Sequence, residues 1–224
     1  MDILLPNQEQ IDSLYSRSIP MPMKFLCSGM HNKDLPVSNT LEIALVGRSN
    51  VGKSSLLNFL AGQKSLAKVS SMPGRTQTIN LFQAHQNLFK VVDLPGYGFA
   101  KSSKDTKAHW EKNLSNFLRN RQGLFAVFFL FDCRRDVKEE DRVLCQWFHE
   151  IGLKVALIQT KADKEKKSKW GSIRKKQELE LGVSPGLSVT TSSYQKMGLN
   201  EIYKMLAGML EAQIDAIQHG DDFK

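Results

Sequence analysis

Gly47-Arg48-Ser49-Asn50-Val51-Gly52-Lys53-Ser54 has the spacing G-x-x-x-x-G-K-S and directly follows the apolar run Leu41-Glu42-Ile43-Ala44-Leu45-Val46. A strand, a glycine-bearing turn and a helix starting near Lys53 are what a phosphate cradle requires. Gly47 and Gly52 let the backbone turn tightly, so that successive N–H groups face inward. Lys53 adds a point charge for the β- and γ-phosphates, Ser54 a hydroxyl for Mg²⁺, and the helix N-terminus its partial positive charge. Nucleotide binding is the first expectation.

The nucleotide's identity is suggested further along, where the apolar run 153–158 ends in Gln159 and is followed by Thr160-Lys161-Ala162-Asp163. This string resembles the N/T-K-x-D element of the translation-factor and Ras-like GTPases. A carboxylate at Asp163 can accept from both N1–H and the exocyclic amine of guanine, whereas adenine offers no such donor pair. Lys161 can lay its aliphatic stem along the base. Between the two motifs, Val91-Val92-Asp93-Leu94-Pro95-Gly96 is a second apolar strand ending in an acid. It resembles the D-x-x-G element, in which Asp93 holds Mg²⁺ through water and the Gly96 N–H meets the γ-phosphate. A carboxylate at a strand's C-terminal end faces the crevice where open α/β sheets bind ligands. Taken singly, each string also reads as an ordinary polar turn; their order argues against that.

Pro73-Gly74-Arg75-Thr76-Gln77-Thr78 lies in the polar stretch between the first helix and the next strand. Thr76 and Thr78 could each offer a hydroxyl to Mg²⁺ when a triphosphate is bound. Together GRSNVGKSSLLN, PGRTQTINLF, DLPGYGFAK and TKAD resemble the EngB (YihA/YsxC) family of bacterial ribosome-assembly GTPases, over about residues 23 to 210. The resemblance implies a Ras-like fold and Mg²⁺ held by Ser54 and Thr76, with Asp93 acting through water. It implies a nucleotide site running through 47–54, Gly74 to Thr78, Asp93 to Gly96 and 160–163. A last loop is assigned to Thr191-Ser192-Ser193, whose small residues let backbone N–H groups reach guanine O6. It further implies a GTP/GDP switch in large ribosomal subunit assembly, needed for normal cell division and septation.

Length and pattern fit one α/β domain. The chain has 224 residues, enough to bury a sizeable core. Apolar runs at 41–46, 79–83, 88–92, 125–131, 153–158 and 187–190 alternate with amphipathic segments at about 53–61, 105–120, 138–151, 166–181 and 198–217. That alternation predicts a mainly parallel sheet with helices on both faces. Residues 1–22 are read as an N-terminal extension whose folding the sequence leaves open, 23–217 as the GTPase domain and 218–224 as a tail. No stretch approaches the roughly 20 apolar residues of a membrane span, and the N-terminus lacks a basic region leading into an apolar core. A cytoplasmic monomer with no membrane partner is expected. Cys27, Cys133 and Cys145 read as reduced core residues.

The net charge of +8 is concentrated in 164–176, KEKKSKWGSIRKK. On a helix after the guanine loop this run would form a stripe suited to rRNA phosphates, with Trp170 stacking on a base or, preferably, packing inward. Hydrolysis is where the motif set is thinnest. Tyr97 stands where Ras-like enzymes carry the glutamine that orients the attacking water. Slow intrinsic turnover is expected, resting on Lys53, Thr76, Gly96 and Asn50. By resemblance to related GTPases, Asn50 is a candidate to help hold K⁺, equally readable as a residue that tolerates a tight turn; Arg75 is a second source of charge. The contrasting readings are a GTP-sensing ribosome- or RNA-binding module with incidental turnover, and a P-loop small-molecule kinase.

Overall fold

The computed structural model describes residues 3–67, 78–97 and 114–220. Seven strands form one sheet: β1 Met23–Gly29, β2 Glu42–Gly47, β3 Ile79–Ala84, β4 Lys90–Asp93, β5 Leu124–Asp132, β6 Lys154–Thr160 and β7 Ser188–Thr190, in the order β1-β3-β4-β2-β5-β6-β7. The strands from β4 to β7 are mutually parallel in that order, and β3 runs antiparallel to both β4 and β1. The helices are α1 Gln8–Tyr15, α2 Lys53–Ala61, α3 114–120, α4 Glu139–Glu150, α5 Trp170–Leu181 and α6 Leu199–Gln218.

The central strands are apolar along both faces because helices cover both. Along β2 the side chains alternate: Ile43 and Leu45 join a core with α1, α2 and α6, while Ala44 and Val46 join a second core with α3, α4 and the end of α5. Along β5, Phe128 and Leu130 face the first core and Val127, Phe129 and Phe131 the second. This two-residue period fixes the register, since a slip of one residue would exchange the faces. The parallel strands therefore bring Gly47, Asp93, Asp132 and Thr160 to one edge of the sheet, at their C-terminal ends.

Two elements carry weak sequence signals. Helix α1 opens on Asn7, whose side chain accepts from Gln10 N–H at 2.9 Å while Gln10 Oε1 accepts from Asn7 N–H at 3.0 Å. This reciprocal cap is an amide version of the usual Ser/Thr and Glu pair. Only Ile11 and Leu14 of α1 are buried, against α6 and the first core, too few to make a periodic pattern. Strand β1 is an edge strand with Phe25 and Leu26 exposed, so it lacks the in-out alternation of a half-buried strand.

The expected helix at 166–181 starts later, at Trp170, after short 3₁₀ turns at Ala162–Lys164 and Lys167–Lys169. The Trp170 indole N–H lies 3.2 Å from the carbonyls of both Ala162 and Glu165, which holds the intervening chain off the helical path. The expected helix at 105–120 falls partly outside the described residues, and its end is seen as α3. Gly152 (φ 77°) and Gly182 (φ 66°) end α4 and α5 as predicted. No helix among the described residues is long and apolar enough to cross a membrane.

Candidate functional site

The loop between β2 and α2 is drawn tight by its own sequence. Asn50 (φ 61°) and Gly52 (φ 116°) take left-handed backbone conformations, which Asn tolerates and Gly adopts without penalty. Lys53 is the first residue of α2 and faces Asp93 at the end of β4. Burial pulls the Lys53 ammonium down and the Asp93 charge opposes that. Burial pushes the Asp93 carboxyl up to about 6, against the charge of Lys53.

Gly96 lies directly on the phosphate loop. A methyl group there would come within 3.0 Å of the Ser49 Cα and N and 3.1 Å of Lys53 Nζ. The chain after Gly96 is pinned as well: Tyr97 N–H donates to Gly47 O at 3.2 Å, and Ser49 N–H donates to Tyr97 O at 3.0 Å. The Tyr97 ring is buried, stacked 6.1 Å from Phe129, and its hydroxyl donates to Asp141 Oδ1 on α4 at 2.9 Å. Its hydroxyl is therefore committed to α4, beside the Arg48 side chain, and does not replace the missing glutamine.

The guanine-type motif is laced to the phosphate loop. Thr160 Oγ1 donates to Val51 O at 2.7 Å, and Lys161 Nζ donates to Asn50 O at 2.7 Å. Lys161 takes a left-handed backbone (φ 61°), and Ala162 N–H donates to Thr191 O at 3.1 Å. The Ser192 hydroxyl donates to Asp163 Oδ1 at 2.6 Å, and Lys164 Nζ lies 3.2 Å from Oδ2. The Ser192 hydrogen bond above all holds the Asp163 carboxyl below its ordinary value, so it is ionised and oriented. The N–H groups of Thr191 and Ser192 are engaged by Gln159 O and Met197 O, which turns the expectation for this loop toward the N–H of Ser193.

The structure thus brings 47–54, 93–96, 160–163 and 191–193 together at one edge. Thr78 sits at the same edge, since its neighbour Asn80 pairs with Asp93, and its hydroxyl lies 3.5 Å from Asn80 Oδ1. Gly74, Arg75, Thr76 and Gln77 lie outside the described residues.

Sequence reading missed Asp132. It ends β5 as Asp93 ends β4, an acid closing an apolar strand, and that signal was available. Lys161 Nζ lies 3.1 Å from Asp132 Oδ2, and Arg134 binds both carboxylate oxygens at 2.9 and 2.7 Å. Burial alone would push this carboxyl up, but the bonds from Arg134 and Lys161 outweigh it and hold it at about 2.

The donor set suits a divalent cation. Asp93 is buried and its Oδ1 has no hydrogen-bond partner, a costly arrangement unless a cation or its water shell satisfies it. A separate cleft of about 670 Å³ between Asn32, Ser38, Asn120 and Arg121 lies at the opposite edge. There Arg121 is already spent on both oxygens of Glu42, each at 2.8 Å, and on Pro36 O at 2.8 Å.

Comparison with known proteins agrees with this geometry. Residues 42–161 match the family model described as 50S ribosome-binding GTPase. A probable GTP-binding protein EngB from Alkaliphilus metalliredigens is 40% identical over 180 residues, covering 80% of this chain and 86% of that protein. Its counterpart from Clostridium kluyveri is 40% identical over 189 residues, covering 84% and 95%. Among solved structures, a probable GTP-binding protein engB superposes with a TM-score of 0.61 at 20% identity, over 76% of this chain and 99% of that one. Era from Aquifex aeolicus superposes at 0.60 and 21% identity, over 75% and 56%; at these identities both speak for the fold. With its motif loops gathered at one sheet edge and these relatives beside it, the chain belongs to the EngB family of GTP-binding proteins and is a GTPase.

Proposed function

We propose that the protein is a Mg²⁺-dependent switch that docks on the assembling large ribosomal subunit in its GTP state and leaves after hydrolysis, and that normal division and septation depend on that step. The observation that carries the nucleotide half of this reading is the oriented Asp163 carboxylate, tied through Ser192 to the last loop and, through its neighbour Lys161, to the phosphate loop. Asp163 reads the two guanine donors, the Ser193 N–H meets O6, and the Lys161 stem covers the base. The N–H groups of Asn50 and of Gly52 to Ser54, with the Lys53 ammonium, hold the phosphates, since those of Ser49 and Val51 are engaged by Tyr97 O and Arg48 O. Ser54, Thr76 and, through water, Asp93 are the residues to hold Mg²⁺, which when bound neutralises charge on the phosphate oxygens. Catalysis is electrostatic positioning, with no covalent intermediate.

With Tyr97 turned toward α4, orientation of the attacking water falls to other groups. The Asn50 carboxamide, exposed at the loop tip, is the candidate to help hold a K⁺ ion there, and faster turnover in K⁺ than in Na⁺ at matched ionic strength would support that role.

The ribosomal half is supported by the description of the matching family and by charge. Lys164, Lys166, Lys167 and Lys169 are exposed beside the guanine loop, and Lys175 follows on α5. Trp170 is half-buried with its indole N–H engaged by the Ala162 and Glu165 carbonyls, and an exposed aromatic of this surface is Tyr194, 85% accessible, with Lys164 Nζ 5.6 Å from its ring centre. Lys176 is drawn off to Asp136 at 2.8 Å. Co-sedimentation with large subunits in GTP, a non-hydrolysable analogue and GDP tests the reading. Retention in the analogue, release in GDP, and a loss of association in GTP as it is hydrolysed are expected; equal association in all three contradicts a switch. Thr76→Ala should weaken GTP binding and spare GDP, because a ligand to the γ-phosphate is idle without it.

A further inference from the structure

Asp141, on the first turn of α4 and 1% exposed, is the meeting point of three contacts that the motifs do not account for. Its Oδ2 accepts from Lys138 N–H at 3.0 Å and so caps α4. Its Oδ1 accepts from the Tyr97 hydroxyl at 2.9 Å and from Arg48 Nε at 3.2 Å. Arg48 reaches on to Glu140 at 2.8 Å, and its guanidinium lies 5.7 Å from the centre of the Tyr97 ring. One carboxylate thus grips a side chain from the phosphate loop and a side chain from the strand end that carries Gly96. The main chain repeats the junction, because residues 48 and 97 pair as a parallel bridge.

We infer that Asp141 is a positioning residue for GTP hydrolysis: by holding Tyr97 and Arg48 to α4, it fixes the Gly96 N–H against the phosphate loop where the γ-phosphate must arrive. The reasoning is geometric. Gly96 has no room for even a methyl group against Ser49 and Lys53, so it is seated by what lies on either side of it. On the downstream side, within the described residues, that is Tyr97. An N–H donor aimed before the reaction costs no reorganisation during it, and a loosened one loses that advantage. GDP has no γ-phosphate, so its affinity is insensitive to this seat.

Tyr97→Phe removes the hydroxyl and keeps the ring against Phe129, so it tests the link without opening the core; Asp141→Asn removes the charge at constant shape. Each variant, and the pair, is assayed for GTP kcat and KM, GDP affinity and melting temperature. Each single change should lower kcat by about tenfold to a hundredfold, the range for losing a hydrogen bond to a charged group, with GDP affinity within about twofold of wild type. The double variant should be little worse than Asp141→Asn alone, since both changes break one link. Two results overturn the inference: unchanged kcat in Tyr97→Phe, or GDP affinity and kcat falling together in both variants, which is what a merely structural carboxylate gives.

Discussion

In the proposed reading, Asp163 is specific for guanine only because other side chains hold it. Guanine needs both carboxylate oxygens; Ser192 aims one of them, and Lys164 must yield the other. Asp163→Asn should therefore weaken GTP binding by about tenfold to a hundredfold, the cost of leaving a buried polar group mismatched, and should admit xanthosine triphosphate, whose C2 oxygen accepts the new amide. Competitive titration with the two nucleotides decides it, and unchanged GTP affinity would remove Asp163 from the base site. Asp132 acts one step back, through Lys161. Its folded carboxyl sits at about 2, below the ordinary 3.8, so the folded state binds fewer protons there than the unfolded chain. The resulting stabilisation is fully present above about pH 4 and is lost as pH falls toward 2. Urea melts across that range should show wild type well above Asp132→Asn at pH 6, with the gap closing in acid; a constant gap would mean that the charge of Asp132 is not what matters.

At the scale of elements, what was legible followed from period and punctuation. The buried strands β2, β5 and β6 announce themselves as continuous apolar runs because both faces are covered, and the helices between them carry glycine stops at 152 and 182. The motifs were legible for a related reason: their chemistry needs particular residue types at fixed spacing, so 47–54 and 160–163 could be placed before any fold was known. What escaped had no such imprint. Strand β1 is exposed at the sheet edge, and α1 buries only Ile11 and Leu14. The start of α5 lies later than periodicity predicts, where the Trp170 indole N–H bonds back to the Ala162 and Glu165 carbonyls, a local side-chain contact that helical propensity does not register. Asp141 acts through Tyr97 and Arg48, partners distant in sequence, and nothing in its neighbours declares it, whereas Asp132 had the imprint of an acid closing an apolar strand. Although short, α1 is tied to α6 by the Tyr15 hydroxyl, 2.6 Å from Glu211, and by its two buried residues. Leu14→Ala should cost about 2 to 5 kcal/mol of stability, as for other fully buried leucines, read from denaturant midpoints. A loss below about 0.5 kcal/mol, the size typical of a surface change, would show α1 to be an appendage.

Across the whole molecule, the fold sets the T-K-x-D loop, the exposed lysines that follow it and Tyr194 on one rim, so the surface proposed to meet rRNA adjoins the proposed nucleotide site. Affinity for large subunits should then fall with salt, with a log–log slope of about −0.7 per neutralised phosphate on single-stranded rRNA and nearer −0.9 on duplex. Reversing Lys166, Lys167, Lys169 and Lys175 to Glu should flatten that slope while leaving GTP affinity unchanged, because those side chains lie outside the nucleotide crevice. The most direct measurement is steady-state GTP turnover with and without purified large ribosomal subunits, in wild type and in this four-lysine variant. The account predicts slow intrinsic turnover that large subunits stimulate in wild type, and the same intrinsic rate without stimulation in the variant. Turnover indifferent to large subunits, or a variant stimulated as strongly as wild type, would contradict it.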